Sequence, residues 1–184
     1  MKKSFILACM CLFVSVAKAQ FWIGGQISNV KSKSTYIDSD HVKTRSFKFL
    51  PEAGYVINDK WDVAVRMGVD YSYAKFSSES KKRRSAFVFE PYVRYKFYET
   101  GRLGFFIDGG VSVENGDFFY QGNYHKSDTM FGFGVRPGVK YDATDHLTFV
   151  ASFGGLGLNH IDKETNVGFN VNSDALTFGA YYAF

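Results

Sequence analysis

Beyond residue 19 the chain alternates. Between residues 61 and 74, Trp61, Val63, Val65, Met67, Val69, Tyr71 and Tyr73 fall on one side of an extended segment, and Asp62, Ala64, Arg66, Gly68, Asp70 and Ser72 on the other. Successive side chains of a strand point to opposite faces, so this segment is a strand with a single apolar face. The pattern recurs in eight segments, at roughly 20–29, 46–57, 61–74, 85–97, 103–114, 130–141, 146–158 and 174–184. Each has about ten residues or more, the length that a tilted membrane-crossing strand needs. The seventh is the least regular, because Gly154-Gly155 is expected to interrupt its register. The last ends on Leu176, Phe178, Ala180, Tyr182 and Phe184, all on one side. An uncapped aromatic strand at the edge of an open sheet invites aggregation in water. Closing the sheet against its first strand and turning the aromatic face to lipid removes that hazard. No apolar run after residue 19 approaches 18 residues, so a helical span is not expected.

The first 19 residues read as a secretory leader: Lys2 and Lys3, an apolar run over 5–16, and Ala17-Lys18-Ala19 before Gln20. The triplet Leu7-Ala8-Cys9 resembles a lipidation signal, but it leaves an apolar core of about five residues, shorter than such leaders require. The mature chain is therefore expected to be residues 20–184, one domain. Both cysteines, Cys9 and Cys11, depart with the leader, which removes disulfides, thiol nucleophiles and thiolate metal sites. The leader carries three cations and no anion, so the formal charge falls from +4 to +1. Bulk attraction to nucleic acid is not expected at that charge.

The connections alternate in length. Asn58-Asp59-Lys60, residues 98–102 and residues 142–145 are short, whereas 30–45, 75–84, 115–129 and 159–173 are long and polar. Three segments repeat Pro, a small apolar residue and Tyr at every second position: Pro51-Ala53-Tyr55, Pro91-Val93-Tyr95 and Pro137-Val139-Tyr141. Each Tyr stands just before a short turn, where an interfacial aromatic girdle belongs. Proline lacks a ladder donor, so a kink or bulge is expected at each of the three.

Alternation alone does not say which face is inside; volume does. The apolar face carries roughly three dozen large side chains, about half of them aromatic. An eight-stranded barrel has an interior barely wide enough for its own side chains or one small ligand. The apolar face must point outward. The other face is rich in glycine (Gly24, Gly54, Gly68, Gly104, Gly110, Gly132, Gly134, Gly138 and Gly179) and carries Lys48, Glu52, Arg66, Asp70, Glu90, Arg94, Asp108, Arg136 and Lys140. Ions of both signs in so narrow a space must pair or meet a desolvation cost of several kcal/mol each. The expectation is an ion-pair network that closes the lumen.

A leader, eight alternating strands, alternating turn lengths and a terminal Phe184 together resemble the small outer-membrane β-barrels of the OmpA transmembrane-domain and OmpX/Ail type. The resemblance spans the mature chain. It implies an all-β, eight-stranded, antiparallel, up-and-down transmembrane barrel in the outer membrane of a Gram-negative-type cell. Short turns and both termini would be periplasmic, long loops extracellular. It also implies contact with outer-membrane lipid and lipopolysaccharide, and a C-terminal signal for the insertion machinery carried by Phe178, Tyr182 and Phe184. Because the chain stops at Phe184, the resemblance extends to no peptidoglycan-binding domain.

Candidate chemistry is sparse. His125-Lys126-Ser127 is similar to the His-x-Ser pair of outer-membrane lipid A deacylases, but the nearest acid, Asp128, adjoins the serine and is poorly placed to orient the histidine. An acyl slot for palmitoyl transfer does not suit a charged lumen. His41, His146 and His160 lack metal-ligand spacing, so no metal or cofactor is expected. Lys81-Lys82-Arg83-Arg84, with Lys75 nearby, reads as a basic extracellular loop able to hold phosphate or sulfate groups. Phe118, Phe119, Tyr120 and Tyr124 form an aromatic patch, a partner contact or an extension of strands above the girdle. The sequence reading is a non-enzymatic surface or envelope barrel, with adhesion or anionic-ligand binding by its loops. A lipid A-modifying enzyme and a small gated pore are the alternatives.

Overall fold

The computed structural model describes residues 21–35, 41–75, 81–120, 123–126, 129–161, 164–170 and 176–184. These residues form eleven strand segments and no helix: β1 (Phe21–Thr35), β2 (His41–Val56), β3 (Trp61–Lys75), β4 (Lys81–Thr100), β5 (Leu103–Tyr120), β6 (Asn123–Lys126), β7 (Met130–Asp142), β8 (Leu147–Ser152), β9 (Gly155–Ile161), β10 (Glu164–Asn170) and β11 (Thr177–Ala183). They make eight staves. β6 and β7 both pair with β5, β8 and β9 both pair with β7, and β10 and β11 complete the last stave against β9 and β8. All pairings are antiparallel. β11 against β1, from Trp22↔Ala183 to Ile27↔Phe178, closes the sheet.

The barrel is inside-out, as the volume argument requires. Large apolar side chains such as Phe47, Trp61, Met67, Phe87, Phe133 and Phe178 are exposed, while Glu52, Asp62, Arg66, Asp70, Arg94 and Asp108 are buried. That inverts the distribution of a water-soluble protein. On β3 the outward band runs from Trp61 to Tyr71. Ten residue steps of about 3.3 Å, tilted by about 40°, give a height of about 25 Å, that of a barrel's apolar belt. Trp61 packs at a tilt against Tyr95 (4.6 Å) at one rim, and the Phe21, Phe184 and Tyr182 rings meet at the same end across the closure.

The short turns gather at that end. Asn58 Oδ1 accepts from the backbone N–H of Lys60 and Trp61 (2.9 and 3.0 Å), and Thr144 Oγ1 from those of His146 and Leu147 (3.2 and 2.9 Å). Gly101 turns the chain between β4 and β5 with φ of 58°, a conformation that disfavours side chains.

Two sequence expectations change. The strands run past their alternating stretches at the opposite end: residues 30–35, 41–45, 81–84 and 115–120, expected in loops, continue the ladders. Alternation stops where the apolar belt stops, whereas hydrogen-bonded pairing needs no apolar face. The prolines also behave differently. Register is unchanged across Pro51 and Pro91, each simply lacking rungs toward one neighbour, β3 and β5 respectively. Only Pro137 adjoins an irregularity. There β8 and β9 are separated at Phe153-Gly154, Gly154 takes φ of 63°, and the Phe153 N–H reaches the Pro137 carbonyl at 3.2 Å. The expected interruption of the seventh segment is this one.

Candidate functional site

The lumen is organised around Arg66, whose side chain is wholly buried. β3 projects it inward at mid-height, opposite Glu52 of β2 and Glu90 of β4 on one rung. Its Nη1 donates to Glu90 Oε1 (2.9 Å) and its Nη2 to Asp108 Oδ2 (2.8 Å), while Nε faces Glu52 Oε1 at 3.5 Å. Arg94 grips the same aspartate through Nε to Oδ1 (2.7 Å) and Nη2 to Oδ2 (2.9 Å). Arg136 approaches Glu90 at 3.6 Å. Three guanidinium groups thus meet three carboxylates, and the tier is neutral.

Aromatic rings frame this tier. The Tyr92 hydroxyl donates to Glu52 Oε2 (2.5 Å), and Tyr181 donates to the same oxygen (3.3 Å) while accepting from Arg94 and Gln26 (3.1 and 2.9 Å). The Arg66 guanidinium lies 3.9 Å from the Tyr92 ring centre, and that of Arg94 3.9 Å from the Phe106 ring centre. Such stacking suits a planar, weakly hydrated cation. Trp22 stacks on Tyr181 at 4.3 Å. The expected network named the ions but not these rings or Gln26. The signal lay in the alternation itself: Trp22, Tyr92, Phe106 and Tyr181 all sit in phase with the polar face.

Inward glycines make the room. A methyl group at Gly54 would overlap the Trp22 ring, one at Gly138 would overlap Phe106, and one at Gly110 would stand 2.7 Å from Tyr92. Gly54→Ala is accordingly expected to cost about 1–3 kcal/mol by overpacking. Gly109→Ala, with open space around its Cβ, should change stability by about 0.5 kcal/mol or less. Urea unfolding of the protein folded in vesicles distinguishes the two.

The remaining ions form separate tiers rather than one network. Toward the long end, Lys48 pairs with Asp70 (2.7 Å) and Arg84 with Glu114 (2.9 Å). Toward the short turns, Lys96 pairs with Asp62 (2.9 Å), and Lys140 with Glu99 and Asp142 (2.6 and 3.0 Å). Lys140 is therefore remote from the Arg66 group, and its aliphatic chain lies over Gly104 of the facing strand, where a Cβ would block it. Two vestibules of about 500 and 460 Å³ flank the central tier, one touching Arg94 and Tyr181, the other Glu90 and Asp108.

The basic run is not a loop. Lys81, Lys82, Arg83 and Arg84 begin β4, with Arg83 exposed and its guanidinium 5.9 Å from the Tyr73 ring, while Arg84 turns inward to Glu114. Backbone pairing needs no apolar face, so the ladder continues through these charged residues. His125 lies on β6 opposite Phe118, whereas Ser127 and Asp128 fall outside the described residues. Among the described residues no cluster of His, Cys, Asp and Glu suits a metal ion. Phe178 and Tyr182 point outward, and the Phe184 N–H donates to the Phe21 carbonyl at 3.0 Å.

The sequence profile of the outer membrane protein beta-barrel domain family matches residues 4–184. The chain belongs to this family. As an outer membrane protein beta-barrel domain, it is an outer-membrane protein, and its fold is shared by solved structures at low identity. Neisserial surface protein A (NspA) superposes with a TM-score of 0.57 at 22% identity, over 90% of this chain and 99% of that one. Ail, the attachment invasion locus protein of Yersinia pestis, gives 0.52 at 16% over 90% and 97%. OprG from Pseudomonas aeruginosa gives 0.51 at 15% over 90% and 95%. Ail has also been solved in complex with the heparin analogue sucrose octasulfate. No curated protein matches the chain.

Proposed function

We propose that this barrel is a non-enzymatic, non-conducting protein of the outer membrane with a structural and surface role. Its long strand ends are extracellular and bind anionic ligands. The observation that carries the reading is Arg66, fully buried and held by three carboxylates between the two vestibules. A cation so enclosed blocks the path it sits on, and moving it would strand charges in a narrow interior. The residues assigned to this seal are Glu52, Arg66, Glu90, Arg94, Asp108 and Arg136. Asp70 and Lys140 stiffen the two ends.

The short turns and both chain ends face the periplasm in this reading, as in other bacterial barrels. Residues 1–19 are the leader, and Phe178, Tyr182 and Phe184 present the aromatic strand that the insertion machinery recognises. Ail's complex with the heparin analogue sucrose octasulfate supports an anionic ligand for a barrel of this fold. Planar-bilayer recording tests the seal: the folded protein is expected to give no discrete openings, and stable unitary steps would make it a pore. Incubation with lipid A is expected to leave its mass unchanged. A deacylated product lost in Ser127→Ala would instead make it a hydrolase.

A further inference from the structure

The register of β1–β4 gathers cations that are scattered in sequence. Lys31, Arg45, Tyr73 and Arg83 stand side by side on one rung. Lys33, Lys43, Lys75 and Lys81 stand on the next rung of that face. Seven cations therefore occupy two neighbouring rungs of four adjacent strands, with no acidic residue on either. Arg45, Lys75 and Arg83 are exposed on the outer wall. Four strands about 4.8 Å apart give rows about 14 Å wide, one above the other by about 7 Å. Like charges directly opposite across a ladder destabilise a sheet. An array like this therefore calls for an anion from outside the chain.

Its height and direction name that anion. The preceding outward rung carries Phe47 and Tyr71, the edge of the apolar belt. The cationic rungs begin directly beyond it, with Arg45, Lys75 and Arg83 exposed on the outer wall at the level of lipid headgroups. On the adjoining β5 and β6 the outward positions just beyond the belt are Asp117 opposite Lys126 and then Phe119 opposite Tyr124, one acid with one cation followed by two aromatics, so the surplus of cations is confined to β1–β4. We propose that the paired cationic rungs of β1–β4 form a binding site for the phosphate groups of a phosphorylated glycolipid in the outer leaflet. Lys and Arg carry the attraction, and the guanidinium forks of Arg45 and Arg83 suit bidentate phosphate contacts. Tyr73 offers Arg83 an aromatic face at the membrane boundary. This deepens the anionic-ligand reading above and rests on its orientation, but not on the closed lumen.

The test uses the full mature chain in phosphatidylcholine nanodiscs containing bisphosphorylated lipid A, with lipid A retained on repurification as the readout. Three parallel proteins are compared: wild type, the combined Arg45→Gln, Lys75→Gln, Arg83→Gln variant, and a Lys60→Gln, Arg102→Gln control at the short turns. Heat-modifiable gel mobility establishes that each is folded. Retention is expected to fall about tenfold or more in the triple variant, to stay at the wild-type level in the control, and to weaken with salt. Monophosphorylated lipid A should be held less well by wild type. Equal retention by wild type and triple variant overturns the site, as does an equal loss in the control. So does binding of sucrose octasulfate that is sensitive to the triple variant while lipid A retention is not, because the ligand would then be a soluble polyanion. Conductance of the same samples separates the two readings. A conducting barrel that retains lipid A removes only the seal, and a silent barrel that does not removes only the lipid site.

Discussion

Arg66→Met is expected to destabilise the barrel by about 3–5 kcal/mol, because it leaves buried carboxylates without their cation. The three acids would not suffer equally. Asp108 retains two hydrogen bonds from Arg94, and Glu52 retains the Tyr92 hydroxyl. Among the described residues Glu90 keeps only Arg136, at 3.6 Å. Adding Glu90→Gln to Arg66→Met should therefore recover a substantial part of the loss, since neutralising a stranded charge removes its desolvation cost. Adding Asp108→Asn should recover less, because it also strips Arg94 of its partner. Urea unfolding in vesicles gives all three values. If Asp108→Asn rescued as well as Glu90→Gln, the central tier would not be partitioned as its geometry indicates.

Val65→Arg should cost about 2–4 kcal/mol, the penalty for a guanidinium at the bilayer midplane on a barrel's lipid face. Val65 points outward next to inward Arg66 and lies near the centre of the band between Trp61 and Tyr71. Ser85→Arg, at an exposed outer position opposite Tyr71 and Asp117 at the edge of the band, should cost only about 0–1 kcal/mol. This pair tests depth rather than charge alone. Equal penalties at the two positions would mean that the wall between them does not face hydrocarbon. Unchanged heat resistance of Val65→Arg on gels would say the same.

Both predictions turn on which side a residue faces, and that much was legible in the chain. Period-2 alternation with an overloaded apolar face admits only one orientation for a closed eight-stranded sheet, so Val65 could be placed outside and Arg66 inside from composition and volume. The inward facing of Glu52, Arg66, Asp70, Arg94 and Asp108 followed from the same parity. The partners did not. Lys140 shares a face with Arg66 but pairs with Glu99 and Asp142, because a lumen residue's neighbours are set by stagger between strands and by where glycines leave space. The basic run was misread for a related reason. Alternation reports contact with lipid, so it falls silent above the membrane, where β4 still continues its ladder through Lys81 to Arg84.

Sequence by itself determined that this chain is a barrel with its apolar surface outward and ions within, because side-chain period and the volume of an eight-stranded interior follow from the segments themselves. Tertiary structure alone decided which ions touch, where the rings wedge between them, and how Lys31, Arg45 and Arg83 come to share a rung. Those facts depend on register between strands far apart in the chain, set cooperatively by backbone hydrogen bonds and packing rather than by any one segment.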